Sequence, residues 1–211
     1  MRLTVVEHPL LAATLTGIRD VNSPASTFVE LVERATLLLL TAATADLPTD
    51  AGTVQTPLAT ADCRRLRHQP LLVPVLRAGL GMLESARRLL PEAPIALVGL
   101  RRDERTARAS WYLNALPTDL TDVPVIVLEP MIATGGTLGD VVTRLADLGA
   151  PTVTVVSVIC APAGIAALER TAERLPTDVH VVTAAQDRSL NDQFFIVPGL
   201  GDAGDRLFGG G

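Results

Sequence analysis

Five short runs of aliphatic residues set the strongest limit on how this chain can fold: LLVPVL (71 to 76), IALVGL (95 to 100), VPVIVL (123 to 128), TVTVVSVI (152 to 159) and VHVVTA (179 to 184). Runs that are apolar at nearly every position, rather than at alternate ones, suit strands buried on both faces. Amphipathic, helix-like segments separate them. The expected fold is therefore α/β, with a central, mainly parallel sheet flanked by helices. The stretch STFVELVERATLLLLTAATADL is expected to form a helix from near Ser26, with Glu30 and Glu33 on its polar side and Phe28, Leu31 and Val32 available for burial. A length of 211 residues is enough for one such domain with a full core and short for two, so residues 1–211 are expected to be a single domain.

Composition removes several classes of function. A formal net charge of −5 and 18 basic residues scattered along the chain leave no stripe for a nucleic-acid backbone, so nucleic acid is not an expected partner. All the basic residues are Arg, which excludes Schiff-base chemistry and the P-loop lysine. Cys63 and Cys160 stand far apart, with no Cys-x-x-Cys or His-Glu-x-x-His spacing, so a protein-built metal site is not expected. MRLTVVEHPL has Glu7, His8 and Pro9 where a signal peptide would continue its apolar segment, which points to the cytoplasm. Residues 148 to 168 carry no charge over a length that could span a bilayer. Pro151, Pro162 and two glycines interrupt them, so a buried strand, a turn and a helix start are expected there, and no membrane association.

In a parallel sheet, ligands sit beyond the carboxyl ends of the strands, here just after residues 76, 100 and 128. RAGLGMLE follows the first run and has two readings. Gly79 and Gly81 could open a dinucleotide-binding turn, although Glu84 stands where a third small residue is needed, or they could simply let strand and helix pack closely. Arg77, at the mouth of the sheet, needs solvent or an anion. RRDERTA follows the second run, and Arg101 and Arg102 could close with Arg77 on a pyrophosphate as planar donors. VIVLEPMIATGGTLGD supplies the third strand end. Glu129 can accept hydrogen bonds from a diol. Ala133, Thr134, Gly135, Gly136 and Thr137 offer consecutive backbone N–H groups and two hydroxyls at a helix start, which is a phosphate cradle. The helix should present Leu138, Val141, Val142, Leu145 and Leu148 on one side and end at Gly149. Diol acceptor and phosphate cradle together fit a ribose 5-phosphate.

At this point the residues carry a family resemblance. LEPMIATGGT resembles the phosphoribosyl-pyrophosphate motif of uracil phosphoribosyltransferases, and VLRAGLGM, VGLRRDERT, TAAQDRSLND and IVPGLGDAGDRLFG are similar to that family in the same order, over nearly the whole chain. The resemblance implies the phosphoribosyltransferase-type fold with a small additional base-binding hood. It implies that Glu129, Pro130, Met131 and Ile132 bind substrate together with the 5-phosphate loop at Ala133 to Thr137, with Glu129 on the ribose hydroxyls. It implies that Arg77 and Arg102 hold the pyrophosphate. Uracil would be read by the backbone of Ile196, Gly201 and Ala203, with Asp202 turned towards the phosphoribosyl group or its magnesium. Small residues such as Gly201 and Ala203 also have a physical rationale there, since they let backbone groups approach a base. Tyr112 matches a family position near the base, without an assigned role.

The implied substrates are 5-phospho-α-D-ribose 1-diphosphate (phosphoribosyl pyrophosphate) and uracil, the products UMP and diphosphate. The implied cofactor is Mg²⁺, bound mainly through substrate phosphates, and the implied assembly is a homodimer or higher homo-oligomer. The chain departs from the family pattern in three places: Glu129 replaces an Asp, which extends the carboxylate by about 1.5 Å; Arg101 stands where an aromatic is common; and the link between residues 50 and 70 is shortened. Three readings follow: the uracil enzyme, a phosphoribosyltransferase for another small base, and a non-catalytic nucleotide-binding regulator.

Overall fold

The computed structural model describes residues 1–102 and 109–209. In chain order the elements are β1 (Arg2–Val5), α1 (Pro9–Arg19), α2 (Ala25–Ala43), β2 (Thr49–Gln55), β3 (Thr60–Leu66), β4 (Leu71–Leu76), α3 (Leu80–Leu89), β5 (Val98–Arg102) and β6 (Ala109–Asn114). They continue with β7 (Val125–Leu128), β8 (Met131–Ile132), α4 (Gly136–Asp147), β9 (Thr152–Cys160), α5 (Pro162–Ala172), β10 (Asp178–Gln186), β11 (Ser189–Leu190), β12 (Ile196–Val197) and α6 (Ala203–Phe208). The central sheet runs in the order β1-β10-β9-β7-β4-β5-β6, with β8 added on β9. Its pairings are parallel except β5 with β6.

Side chains alternate across this sheet, and both faces are covered. Leu72, Ile126, Leu128, Val156 and Val182 pack with Phe28 and Leu39 of α2 and Met82 of α3. Leu71, Val73, Val75, Val125, Val127, Val153, Val155 and Val181 pack on the opposite face with Val141 and Leu145 of α4 and Leu168 of α5. Burial on both faces is why these strands read as unbroken apolar runs. The helix read from near Ser26 starts at Ala25 and buries Phe28 and Val32, while Leu31 packs at its margin. Residues 148 to 168 form a turn, β9 and the first half of α5. Among the described residues, no helix is long and apolar enough to cross a membrane.

One expectation needs correction. The run at 95 to 100 becomes a strand only from Val98: Ile95 makes an isolated bridge to Leu72, and the ladder resumes at Val75 with Val98. That strand continues through Arg101 into Arg102, because β6 pairs with it from the outside and shifts register between Gly99 and Leu100. The shortened link between residues 50 and 70 is an antiparallel hairpin, β2 with β3, most of whose residues are exposed.

The topology sets the place of the site. After β4 the chain returns through α3 on one face, and after β7 it returns through α4 on the other. Since β4 and β7 are neighbours, a crevice opens between their carboxyl ends, as at a topological switch point.

Candidate active site

A cleft of about 260 Å³ occupies that crevice, lined by residues 75 to 78, Leu100, Glu129 and residues 131 to 138. The ends of β4 and β7 meet there, and Leu100, inside β5, joins them. Arg77 is exposed at its rim, after a cis peptide bond with Leu76. Arg102 ends β5 by its backbone, but its side chain lies outside the described residues, as does the segment after it. Arg101 is exposed and does not line the cleft.

Gly135 fixes the shape of the loop at residues 133 to 137. Its φ is +76°, and a Cβ on it would stand 2.5 Å from the carbonyl oxygen of Gly164. No other L-residue adopts that backbone without strain. The turn feeds α4, whose Gly139 N–H is the first to close a helical bond, to Gly135 O at 2.8 Å. Among the described residues, nothing takes the N–H groups of Thr134 to Leu138 or the hydroxyls of Thr134 and Thr137. Five consecutive donors at a helix N-terminus make an anion cradle. At its far end α4 stops at Asp147, with Leu148 as cap and Gly149 at φ +91°. Its inner side buries Leu138, Val141, Val142 and Leu145.

Glu129 stands half-buried on the cleft wall, its N–H bonded to Val156 O at 3.1 Å. Burial pushes its carboxyl up to about 8, against the pull of a hydrogen bond from the Met131 N–H. Without ligand it therefore holds its proton at neutral pH, whereas the diol role read from the sequence used a charged acceptor. Pro130, placed among the ligand contacts by the resemblance, is buried beneath the cleft, and its carbonyl accepts from the N–H groups of Val158 and Ile159. Ile132 reaches the lining although its side chain is 1% exposed.

A second cavity of about 180 Å³ adjoins the first and shares Met131 and Ala133 with it. It lies under the β11–β12 hairpin, between Gln193, Phe194, Phe195 and Ile196 on one side and Gly201 and Asp202 on the other. The β11–β12 hairpin is the small addition to the central sheet on this side. Asn191 shapes its turn by accepting from the N–H groups of Gln193 and Phe195 at 3.0 and 2.9 Å. Asp202 caps α6, its Oδ1 accepting from the Asp205 N–H at 2.9 Å, which leaves Oδ2 for other work. Ala203 is buried and can offer only backbone. The N–H groups of Gly201 and Asp202 have no protein partner among the described residues.

The two glycines of RAGLGMLE serve packing. A Cβ on Gly79 would strike the Leu128 carbonyl and stand 2.6 Å from Val75 N, and one on Gly81 would stand 2.6 Å from a Leu207 methyl. These contacts favour the close-packing reading over a dinucleotide turn. Tyr112 is 53% exposed, lies outside both cavities and covers Gly99 with its ring. Sequence reading missed Gly164, on which a Cβ would stand 2.5 Å from Ala133 O and 2.9 Å from Ile132 O. Its only local cue was its place in the first turn of α5. It also missed Phe194 and Phe195.

With this geometry in hand, the family model for uracil phosphoribosyltransferase matches residues 5–210. The chain belongs to the uracil phosphoribosyltransferase family. Relatives named uracil phosphoribosyltransferase are 46% identical in Pseudarthrobacter chlorophenolicus and 47% identical in Streptomyces coelicolor, each over 99% of both chains. A solved structure of a protein from Aquifex aeolicus superposes with a TM-score of 0.89 at 30% identity, over 98% of this chain and 97% of the other. The crystal structure of a hypoxanthine phosphoribosyltransferase from Staphylococcus aureus shares the fold at a TM-score of 0.51 and 14% identity, over 77% of this chain and 76% of that one. What these structures share with the chain is the fold, a mainly parallel sheet flanked by helices.

Proposed function

We propose that the chain transfers ribose 5-phosphate from 5-phospho-α-D-ribose 1-diphosphate to N1 of uracil, giving UMP and diphosphate in pyrimidine salvage in the cytoplasm. The observation that carries this reading is the pair of adjoining cavities: an anion cradle of free N–H groups in one and a small, backbone-lined hollow in the other, joined at Met131 and Ala133. The 5-phosphate sits on Thr134 to Thr137 at the α4 N-terminus, with its charge against the helix dipole. Glu129 faces the ribose hydroxyls. Arg77 and Arg102 hold the diphosphate, and Ile196, Gly201 and Ala203 hold the base by backbone groups.

In the reaction the bond from ribose C1 to the diphosphate oxygen breaks, the bond from C1 to N1 forms, and the N1 proton leaves with the products. The protein's part is orientation and stabilisation of leaving-group charge by arginines; no protein nucleophile takes part. Among the described residues, no three His, Cys, Asp or Glu side chains gather into a metal cage. The cleft and its neighbour offer one carboxylate each, Glu129 and Asp202, which fits an ion held mainly by substrate oxygens. Bound magnesium would neutralise diphosphate charge. The same reading makes the chain a homodimer or higher homo-oligomer, with neither nucleic acid nor membrane as partner.

Conversion of radiolabelled uracil to UMP, with magnesium and the phosphoribosyl donor, tests the assignment. UMP formation is expected. Diphosphate release with another base, and none with uracil, would move the chain to the second reading; no release with any base would leave the regulatory one.

A further inference from the structure

The segment that would read the base, residues 196 to 203, is gripped from behind by charged side chains that the reaction does not use. Arg19, the last residue of α1, donates from Nη1 to Asp187 Oδ2 at 2.8 Å and from Nη2 to Asp187 Oδ1. Asp187 is 6% exposed and follows β10, its own N–H bonded to Cys160 O at 2.8 Å. The same pair holds both polar groups of one residue in the tail. Gly199 N–H donates to Asp187 Oδ2 at 2.8 Å, and Gly199 O accepts from Arg19 Nη1 at 2.7 Å. Gly199 has φ +66°, and a Cβ on it would collide with Ile196 O, so the turn closes tightly on the start of the base-reading segment.

A second guanidinium grips the next residue. Arg206 of α6 donates to Leu200 O at 2.9 Å, to Asp20 O at 2.8 Å and to Ile18 O, and lies 4.0 Å over the Phe28 ring. The carbonyls of Gly199 and Leu200 thus face the clamp, while the N–H groups of Gly201 and Asp202 stay free. A buried ion pair is weak as a source of stability, because desolvation offsets much of its attraction. A bidentate fork is strong as a fixer of orientation.

We propose that Arg19 and Asp187 are positioning residues for base selection: by holding both polar groups of Gly199 they set where the backbone of Ile196 and Gly201 meets the edge of a small planar base. The proposal rests on the uracil-transfer reading above. Arg19→Lys keeps the charge and loses the fork. It is expected to raise the KM for uracil about tenfold, to change the KM for the phosphoribosyl donor by less than about twofold, and to speed amide exchange across residues 196 to 203. The double variant Arg19→Met with Asp187→Leu leaves no charge unpaired. It leaves both polar groups of Gly199 unpaired, so some melting temperature is lost, and its uracil KM is expected to stay raised with the donor KM near the parent, which separates positioning from a general loss of stability. Parental exchange rates across residues 196 to 203 in folded Arg19→Lys, or equal rises in both KM values, would overturn the clamp. A parent protein that does not use uracil would overturn the proposed reaction instead, and the exchange measurement would still decide the clamp.

Discussion

Glu129 lines the cleft as an acid whose pKa burial pushes up to about 8, against the hydrogen bond from Met131. The kcat/KM for the phosphoribosyl donor reports the free enzyme, so if the ionised form accepts from the diol, kcat/KM rises with pH through about 8. Glu129→Gln should flatten that limb and lower its plateau by about tenfold or more, the worth of a charge-assisted hydrogen bond. Glu129→Asp should lower it too, since the side chain is shorter by about 1.5 Å. A gain in uracil turnover for Glu129→Asp would show that the longer side chain marks a drift from catalysis. The same shift has a stability consequence. The folded protein keeps a proton that the unfolded chain releases near its ordinary value of 4.5, so this contribution is full below 4.5 and is lost as pH rises through about 8. Two glycines act at the same scale. Gly135→Val should abolish donor binding measured by calorimetry, because φ +76° and the Gly164 carbonyl exclude a branched Cβ. Gly164→Ala should weaken it by about tenfold while leaving the fold, since the phosphate loop must lift from Ala133 O. Calorimetry giving parental affinity in both folded variants would remove the phosphate from residues 133 to 137.

At the scale of elements, side-chain bonds to a neutral histidine add to the pairing of β1 with β10. Arg2 and His180 are register partners; Arg2 Nη2 donates to His180 Nδ1 at 3.0 Å, so Nε2 carries the hydrogen and reaches Thr4 Oγ1 at 2.9 Å. Burial and then the Arg2 charge lower the His180 pKa below 6.5, against the opposing pull of Asp46 and Asp178. The unfolded chain therefore takes up the proton first. The contribution is full above the unfolded value and is lost as pH falls below about 6.5. Melting followed between about pH 7.5 and 5.5 should decline more steeply for the native chain than for His180→Gln. Equal slopes would place the acid sensitivity elsewhere. Legibility follows the same physics of burial. β4, β7, β9 and β10 are apolar through most of their length because both faces are covered. β1 and β6 lie at the sheet edges, and RLTV and ASWYLN carry no such run. TDAGTVQ and TADCRRL bury little and gave no apolar pattern. The tight turn at residues 133 to 137 and the helix start after it were legible because one local stretch holds all their requirements. Gly164 and the Arg19–Asp187 pair were not, since each is defined by a contact distant along the chain, 168 residues away for the ion pair.

The whole molecule raises a question that one copy does not answer: what covers the β2–β3 hairpin. Residues Thr49 to Leu66 form a two-stranded ribbon with most side chains exposed, Leu58 97% exposed beyond the end of β2 and Val54 44% exposed beside it. An isolated hairpin of this kind is marginal in water, although Arg67 with Asp50, at 2.9 Å, braces its base. An exposed ion pair adds little. Both cores lie against the central sheet, and neither includes Val54 or Leu58. A second copy is the partner that every solution of this protein contains, and a standard interface buries about 800 Å² on each partner. The hairpin is therefore expected to pack on a neighbouring copy, in keeping with the homo-oligomer proposed above. Sedimentation velocity should give a dimer or larger species for the native chain. Val54→Asp with Leu58→Asp places two charges in that contact and should shift the population towards monomer, with the melting temperature falling as the ribbon loses its cover. A double variant that sediments like the parent would show that the hairpin stands free of the interface.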